Sequence, residues 1–306
     1  MYRTVLHVAL FIVVVILFSI GCKTEAKESI SAVDRLYQEY EFQPNAQRAE
    51  IYLDSLESFL RANIENTELI QPHLEKGVKL SMAQGMLSRT SNYILPLLRL
   101  YPNLSDRKGY LTKLGDIMYA LRKRHASSIV YAELIKAHPN DQEIKKKESL
   151  LDSLSQVHTN YVKYLFDQIL VNPDELGVNK AASLKYVDAV EALALVSPND
   201  SIVPANLYTA AEVARSMRTF PKAMSLYDWL IDTYPTHERT PNALFIKGFI
   251  LEQDYNRPEE AKELYTRFIS EFPDHDMVES AKFLLKNLGK SDQEILQEIE
   301  KAKQNN

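Results

Sequence analysis

Glycine is scarce in this chain, which has 8 glycines among 306 residues. Turn-dense β folds and glycine-rich phosphate loops both depend on glycine, so its scarcity argues against β architectures and most nucleotide-binding enzymes. The sequence also lacks the short motifs of serine hydrolases, zinc metalloproteases and calcium-binding loops. These absences predict a mostly helical protein that is not an enzyme and holds no cofactor.

The chain also has no excess of positive charge. The chain has 36 Lys and Arg residues against 41 Asp and Glu residues, a net charge of −5, which argues against nucleic acid as its partner. His237 and His275 stand at equivalent positions, each two residues after a proline. They do not converge with other metal ligands, so no metal site is predicted.

The chain has a single cysteine, Cys22, so no intramolecular disulfide is possible. The residues before it consist of one cation, Arg3, and an apolar run over 5–20 that ends at Gly21. This run is shorter than the ~20 residues that cross a bilayer comfortably, and its pattern is typical of a cleaved secretory signal over 1–21. An uncleaved N-terminal membrane anchor is the alternative.

The sequence Ser19-Ile20-Gly21-Cys22 resembles the lipobox of bacterial lipoproteins, although Ser19 replaces the usual leucine. The resemblance implies that Cys22 is lipidated with acyl chains such as palmitate and becomes the first mature residue. Lys23, instead of an aspartate, implies an outer-membrane address by the same resemblance. Two or three acyl chains would anchor the protein stably, since one chain alone binds a membrane only marginally.

Six prolines close apolar, helix-like runs, most of them 34 to 38 residues apart. They are Pro102, Pro139, Pro173, Pro198, Pro235 and Pro273. Before three of these prolines, a small residue and a tyrosine recur at the same distances from the proline. In two of the three cases a glycine also lies farther upstream, after a leucine or a lysine. The residues of this motif are Leu114, Gly115, Tyr131, Pro139, Ala223, Tyr227, Pro235, Gly248, Ala261, Tyr265 and Pro273.

This motif resembles the tetratricopeptide repeat (TPR), a pair of helices A and B closed by a proline. The resemblance implies an all-α fold, a right-handed TPR-like α-solenoid of antiparallel helix pairs. Gly115 and Gly248 in helix A would let the helices approach closely, and the three tyrosines would fill space toward the next repeat. A helical bundle with coincidental prolines is the alternative.

The repeat pattern divides the chain into segments of different regularity. Signals for helix starts also occur, namely Thr240-Pro241, Asp276 with Glu279, and Ser291 with Glu294. The predicted segments are a signal peptide (1–21), a lipidated tether (22–29), N-terminal helical or TPR-like repeats (30–141), degenerate helical repeats (142–203), a C-terminal TPR pair (204–288) and a capping helix (289–306).

A lipobox followed by such pairs resembles the TPR lipoproteins of the outer membrane, including that of the β-barrel assembly machinery and the repeat domain of the Tol–Pal coordinator. This resemblance implies a scaffold that binds another envelope protein or peptide along a groove lined by helices A. The groove positions would be Thr112, Asp116, Tyr119, Tyr208, Glu212, Arg215, Asn242, Phe245, Phe249 and Glu252, if the turn near Asn256 has one extra residue. Burial of Phe245 and Phe249 against the next helix is an equal alternative.

A different class of function is an accessory lipoprotein on the cell surface that binds carbohydrate or takes up nutrients. Sugar-binding surfaces usually present several tryptophans, whereas this chain has only Trp229. The basic stretch 122–125 falls in a predicted turn, where a solvated surface is favoured over contact with anionic lipid.

Overall fold

The computed structural model describes residues 31–64, 66–151, 158–173, 177–291, 293–294 and 296–297. The predicted signal peptide (1–21) and the whole predicted tether (22–29), with Cys22, lie outside these residues. The described part contains helices and turns and no β-strand. The chain divides into two units, the first ending at His73 and the second starting at Leu74.

The first unit contains α1 (Ala32–Phe42) and α2 (Ala46–Ala62), which pack together. Each helix starts with a side-chain cap, because Ser31 and Asn45 accept hydrogen bonds from backbone N–H groups of the first turn. The rings of Tyr37 and Tyr52 meet with centroids 5.0 Å apart in the buried interior. The division between the units falls within α3 (Thr67–Ala83).

The second unit continues as a series of helices, most of which pack against their neighbours in the chain. They are α4 (Leu87–Leu100), α5 (Arg107–Ala120), α6 (Arg124–Ala137), α7 (Gln142–Lys145), α8 (His158–Asp167), α9 (Lys180–Val196), α10 (Val203–Ser216), α11 (Phe220–Thr233), α12 (Thr240–Gln253), α13 (Pro258–Glu271) and α14 (Val278–Asn287). The pairs α5–α6, α10–α11 and α12–α13 make the most extensive contacts between chain neighbours, and each pair contacts the next helix. This serial packing confirms the prediction of an all-α, TPR-like solenoid.

Proline ends the second helix of each pair, as the sequence predicts. The helices α4, α6, α9, α11 and α13 each stop two residues before a proline of the repeated series. Proline cannot donate the next helical hydrogen bond, and its ring disfavours helical geometry in the residue before it. The helix α8 is the exception, since a short 3₁₀ helix (Gln168–Leu170) follows it before Pro173.

A left-handed residue ends the first helix of each pair. Gly85, Arg122, Arg218 and Asn256 all have positive φ angles, and only the first of these is a glycine. Next to them, the amides of Met86, Lys123 and Thr219 bond carbonyls five residues earlier, which closes the helix end. The linker after α12 has four residues, Asp254 to Arg257, whereas the others have three.

Of the three predicted caps, one is confirmed and two are wrong, although α12 does begin at Thr240 with Pro241 in its first turn. Ser291 and Glu294 form the reciprocal pair of hydrogen bonds that defines a capping box. Thr240 does not cap α12, because its hydroxyl donates to the carbonyl of Tyr234. Asp276 does not cap α14, since Met277 precedes that helix and Asp276 lies beside His275.

The helix α9 stands between two helix pairs. It packs against α6 on one side and α10 on the other, and eleven of its 17 residues are buried. Its apolar residues therefore surround the helix instead of forming one stripe, as expected for a helix enclosed by neighbours. The α5–α6 and α10–α11 pairs consequently do not stack directly in the usual succession.

Candidate functional site

The helix A glycines make room for a ring of the same pair. A Cβ atom on Gly115 would lie 2.6 Å from Cε1 of Tyr131, and one on Gly248 would lie 2.9 Å from Cε1 of Tyr265. Such distances are far below van der Waals contact, so the tyrosines occupy the volume that a side chain would need. The expectation that these rings fill space toward the next repeat is wrong, because they pack against their own helix A.

Each of these tyrosines donates its hydroxyl proton to a carboxylate on helix A. Tyr131 bonds Asp116, Tyr227 bonds Glu212, and Tyr265 bonds Glu252. Burial, followed by the nearby carboxylate, raises the pKa of each tyrosine, so the phenols stay protonated and can donate.

Three of the predicted groove residues, Asp116, Glu212 and Glu252, therefore act inside their own helix pairs. Asp116 also pairs with Lys147, and the Glu212 carboxylate lies 2.7 Å from the guanidinium of Arg215, another predicted groove residue. Since these charges already have partners within the chain, the predicted groove presents less unpaired charge than the sequence indicates.

The aromatic residues of the predicted groove divide into accessible and buried ones. Tyr119 and Tyr208 are half-buried, with Arg124 and Arg239 above their rings at 5.1 and 5.6 Å. Phe249 is 39% exposed, whereas Phe245 is only 8% exposed because the rings of α13 cover it. Phe245 therefore belongs to the core, and its placement among partner-binding residues needs correction.

The remaining positions, Thr112 and Asn242, are half-buried. Because α9 lies between α6 and α10, the ten residues form two groups and not one continuous row. One group lies on α5, and the other lies on α10 and α12. We call the second group, without Phe245, the helix A surface; its members are Tyr208, Glu212, Arg215, Asn242, Phe249 and Glu252.

A cleft that sequence reasoning missed lies between α4, the α5–α6 turn, α9 and the α10–α11 turn. Its volume is about 420 Å³, within the range of ligand-binding pockets. Six apolar side chains line it: Leu95, Met118, Leu121, Leu184, Val187 and Met217. None of them is a predicted groove residue, because the cleft joins helices that are far apart in the sequence.

Two ion pairs form part of the cleft wall. The Lys123 Nζ atom lies 2.8 Å from Asp188, and the Lys222 Nζ atom lies 2.7 Å from Glu191. The lysine side chains are 41% and 38% exposed, but those of Asp188 and Glu191 are only 19% and 8% exposed. In both pairs the lysine side chain is therefore more exposed than its acidic partner.

Burial and charge have opposite effects on these groups. Burial raises the pKa of the Asp188 carboxyl above its ordinary value, although Lys123 counteracts part of the effect. Burial of Lys222 disfavours its charge, but the attraction of Glu191 and Asp188 is larger in sum and raises the pKa of this lysine. Lys222 therefore stays positively charged beside the cleft.

Two arginines connect α4 to the helices across the cleft. The Arg99 guanidinium lies 5.9 Å from the centre of the Trp229 ring and donates to the carbonyl of Ser225 at 3.2 Å. The Arg107 guanidinium donates to the last-turn carbonyls of α4 and α9, at Leu98 (2.7 Å) and Leu195 (2.8 Å). Trp229 is itself only 6% exposed, so it offers no platform for a sugar ring.

A comparison with known protein families finds a match for one of these helix pairs. Residues 242–275, which cover most of α12, all of α13 and the closing Pro273, match the tetratricopeptide repeat family. This helix pair is therefore similar to a tetratricopeptide repeat. No curated protein matches the chain significantly. TPR units usually serve as protein-binding scaffolds without catalytic groups, and the serial helix pairs of the second unit agree with that class.

The histidines of two equivalent turns contact the backbone and do not form a metal site within the described residues. Within the described ranges, no group of three metal-ligating side chains could hold a metal ion. His237 and His275 instead place their Nδ1 atoms 3.2 Å from the backbone amides of Arg239 and Met277 in equivalent turns. No helix in the described part of the chain is long and apolar enough to cross a membrane.

Proposed function

We propose that this TPR protein is a non-catalytic adaptor that binds a segment of another cell-envelope protein along the helix A surface. The observation that carries the proposal is the presence of two accessible aromatic rings, Tyr208 on α10 and Phe249 on α12, in the first helices of successive pairs. Accessible aromatic side chains contribute a large share of binding energy at protein interfaces.

The carboxylates of the helix A surface favour recognition by apolar contact over recognition by charge. Glu212 and Glu252 already accept hydrogen bonds from buried tyrosines, and Arg215 already pairs with Glu212. A partner would therefore gain little from pairing with these charges, and its apolar side chains would pack on the rings. Binding at this surface is consequently expected to depend weakly on salt.

Alanine at both Tyr208 and Phe249 should reduce partner binding by about tenfold, which corresponds to ~1.4 kcal/mol. The partner is to be identified first by photo-cross-linking from these two positions in intact cells. A matched control replaces Tyr164 and Phe42, aromatic residues that are 45% and 82% exposed on other helices. Equal capture by both double variants, or cross-links from Tyr164 to the same protein, would refute binding at the helix A surface.

The second part of the proposal is the location, an outer-membrane lipoprotein anchored by acyl chains at Cys22. It is supported by the lipobox-like sequence and by the position of the only cysteine. Replacing Cys22 with alanine is expected to abolish incorporation of an alkyne-labelled palmitate and to release the protein from the membrane fraction. Ser19→Leu, which restores the common lipobox, serves as the control and should keep both properties. Palmitate incorporation that persists in the alanine variant would disprove lipidation at Cys22.

A further inference from the structure

We propose that the outer face of α8 is an interface at which two copies of this chain pair about a two-fold axis. The outer face is the exposed side of α8 and of the 3₁₀ helix that follows it. Its members are Lys163, Tyr164, Phe166, Asp167, Leu170 and Val171. It shares no residue with the helix A surface, so the two interfaces can be tested independently.

The helix α8 is apolar on two sides, although only one of them is covered. Its inner side, with Tyr161, Val162 and Leu165, is buried, and the helix packs against α9. On the outer face Leu170 is 71% exposed, and the other three apolar members are between 40% and 46% exposed. Helices that are apolar all round are normally enclosed by neighbours, so the outer face has the composition of a buried surface.

The irregular part of the solenoid leaves this side of α8 open. In the regular pairs, a first helix of 14 residues packs along the second. The element before α8 is the four-residue α7, followed by a 3₁₀ helix (Lys146–Leu150) that packs on α6 and α7. The outer face is the densest group of exposed large apolar side chains in the described part of the chain. Contiguous groups of this kind mark interaction sites.

The charges in the middle of the outer face fit a second copy of the chain. The Lys163 Nζ atom lies 2.8 Å from the carboxylate of Asp167, one turn later, and the two side chains are 71% and 51% exposed. A two-fold axis that crosses between them turns the two α8 helices antiparallel and brings Lys163 beside the partner's Asp167. The face is therefore complementary in charge to itself.

The same symmetry brings like aromatic rings together. Tyr164 and Phe166 lie on opposite sides of the line from Lys163 to Asp167, because successive residues are about 100° apart around a helix. The two-fold axis keeps each side with its own copy, so Tyr164 meets the partner's Tyr164 at one edge and Phe166 meets the partner's Phe166 at the other. Such ring pairs add to the free energy gained from area burial.

The Lys163–Asp167 pair also argues against a lipid surface at this face. Helices that lie on membranes turn their apolar side chains toward the lipid and keep charged ones on the other side. The Asp167 carboxylate instead lies among apolar side chains, where contact with lipid would remove its water. Two copies keep both charges paired and bury the apolar area around them, which contributes about 25 cal/mol per Å².

Sedimentation equilibrium of the full chain in a mild non-ionic detergent measures the dissociation constant of the pair. Leu170→Asn should raise this constant by about tenfold, because it removes the most exposed aliphatic side chain of the outer face. The matched control is Leu296→Asn, at a leucine that is 59% exposed elsewhere, and it should leave the constant unchanged. Thermal unfolding should be the same in both variants, since neither leucine is buried.

Charge reversals test the two-fold arrangement itself. In Lys163→Glu or Asp167→Lys alone, like charges meet at both symmetric contacts, and the dissociation constant should rise by about tenfold. An equimolar mixture of the two variants should pair as tightly as the wild type, because every charged contact of the mixed pair then joins opposite signs. A lipid surface or an unrelated partner protein would not produce this rescue.

Photo-cross-linking from position 164 in intact cells should join two copies of this chain. Tyr208→Ala with Phe249→Ala should leave those cross-links in place, so failure of the helix A surface is separable from failure of this interface. The pairing is refuted by a chain that stays monomeric, by equal constants for Leu170→Asn and Leu296→Asn, or by charge variants that pair no better mixed than alone. Cross-links from position 164 to lipid or to another protein, without any between copies, would assign the outer face to that occupant instead.

Discussion

Replacing Phe268 with alanine is expected to lower the free energy of unfolding of the C-terminal helix pair by about 3–5 kcal/mol. Phe268 is completely buried in α13, where its ring contacts those of Phe245, Phe272 and His275. Removing the ring would leave a cavity between α12, α13 and the following turn. The effect is a large part of the 5–15 kcal/mol by which ordinary domains are stable.

Hydrogen exchange read by mass spectrometry is the appropriate measurement, because repeats can unfold separately and a single transition need not describe the chain. Exchange of the amides in α12 and α13 should accelerate strongly in Phe268→Ala. The matched control is Phe283→Ala in α14, where the same atoms are lost from a ring that is 49% exposed. If both variants protected α13 equally well, the packing described for Phe268 would be incorrect.

Replacing Lys222 with methionine should destabilise the second unit by about 2 kcal/mol, because it leaves the buried Glu191 carboxylate without its cation. The Glu191 side chain is 8% exposed and that of Lys222 is 38% exposed. The loss of stability should therefore lie between the losses seen when an exposed ion pair and a fully buried ion pair are broken. The pair connects α9 to α11, and the variant should loosen both helices.

The double variant Lys222→Met with Glu191→Leu should recover most of the lost stability, because it removes the unpaired charge together with its partner. Thermal unfolding of the wild type, the two single variants and the double variant forms a complete cycle. If the double variant were less stable than Lys222→Met, the prediction would be wrong, because the loss of stability in Lys222→Met would then not come from the unpaired Glu191 carboxylate.

Local sequence signals predicted the helix pairs correctly. A helix ends two residues before each of Pro139, Pro235 and Pro273. Proline lacks the N–H group that would extend the helix, and this effect is confined to about one turn of the backbone. Gly115 and Gly248 mark close packing, because no other residue leaves that space free. Such effects involve only neighbouring residues or the paired helix. The spacing of these prolines and glycines in the sequence therefore predicts the helix pairs.

The contacts of the tyrosines could not be predicted from local sequence patterns. The spacing of Tyr131, Tyr227 and Tyr265 is regular, but spacing does not specify which neighbouring helix receives a ring. The structure places these rings on their own helix A and joins their hydroxyls to carboxylates. Three of the charges assigned to partner binding consequently have an internal role that only the pairing geometry makes visible.

Phe245 and Phe249 illustrate the same limit in another form. They are one helical turn apart, and each could have been buried or accessible depending on a rotation of α12. The rings of α13 cover Phe245, while Phe249 stays 39% exposed. The assignment depends on how the two helices are rotated against each other, which the sequence of α12 alone does not specify.

The amino-acid sequence alone was sufficient for the helical class, the repeat and the helix ends at five of the six prolines, because hydrogen bonding and steric exclusion along the backbone act over a few residues. The position of α9 and the cleft beside it depended on the folded chain. There, Arg99 meets Ser225 and Lys222 meets Glu191, contacts of 126 and 31 residues in sequence separation. No local pattern encodes such contacts, since they form only when many helices have already packed.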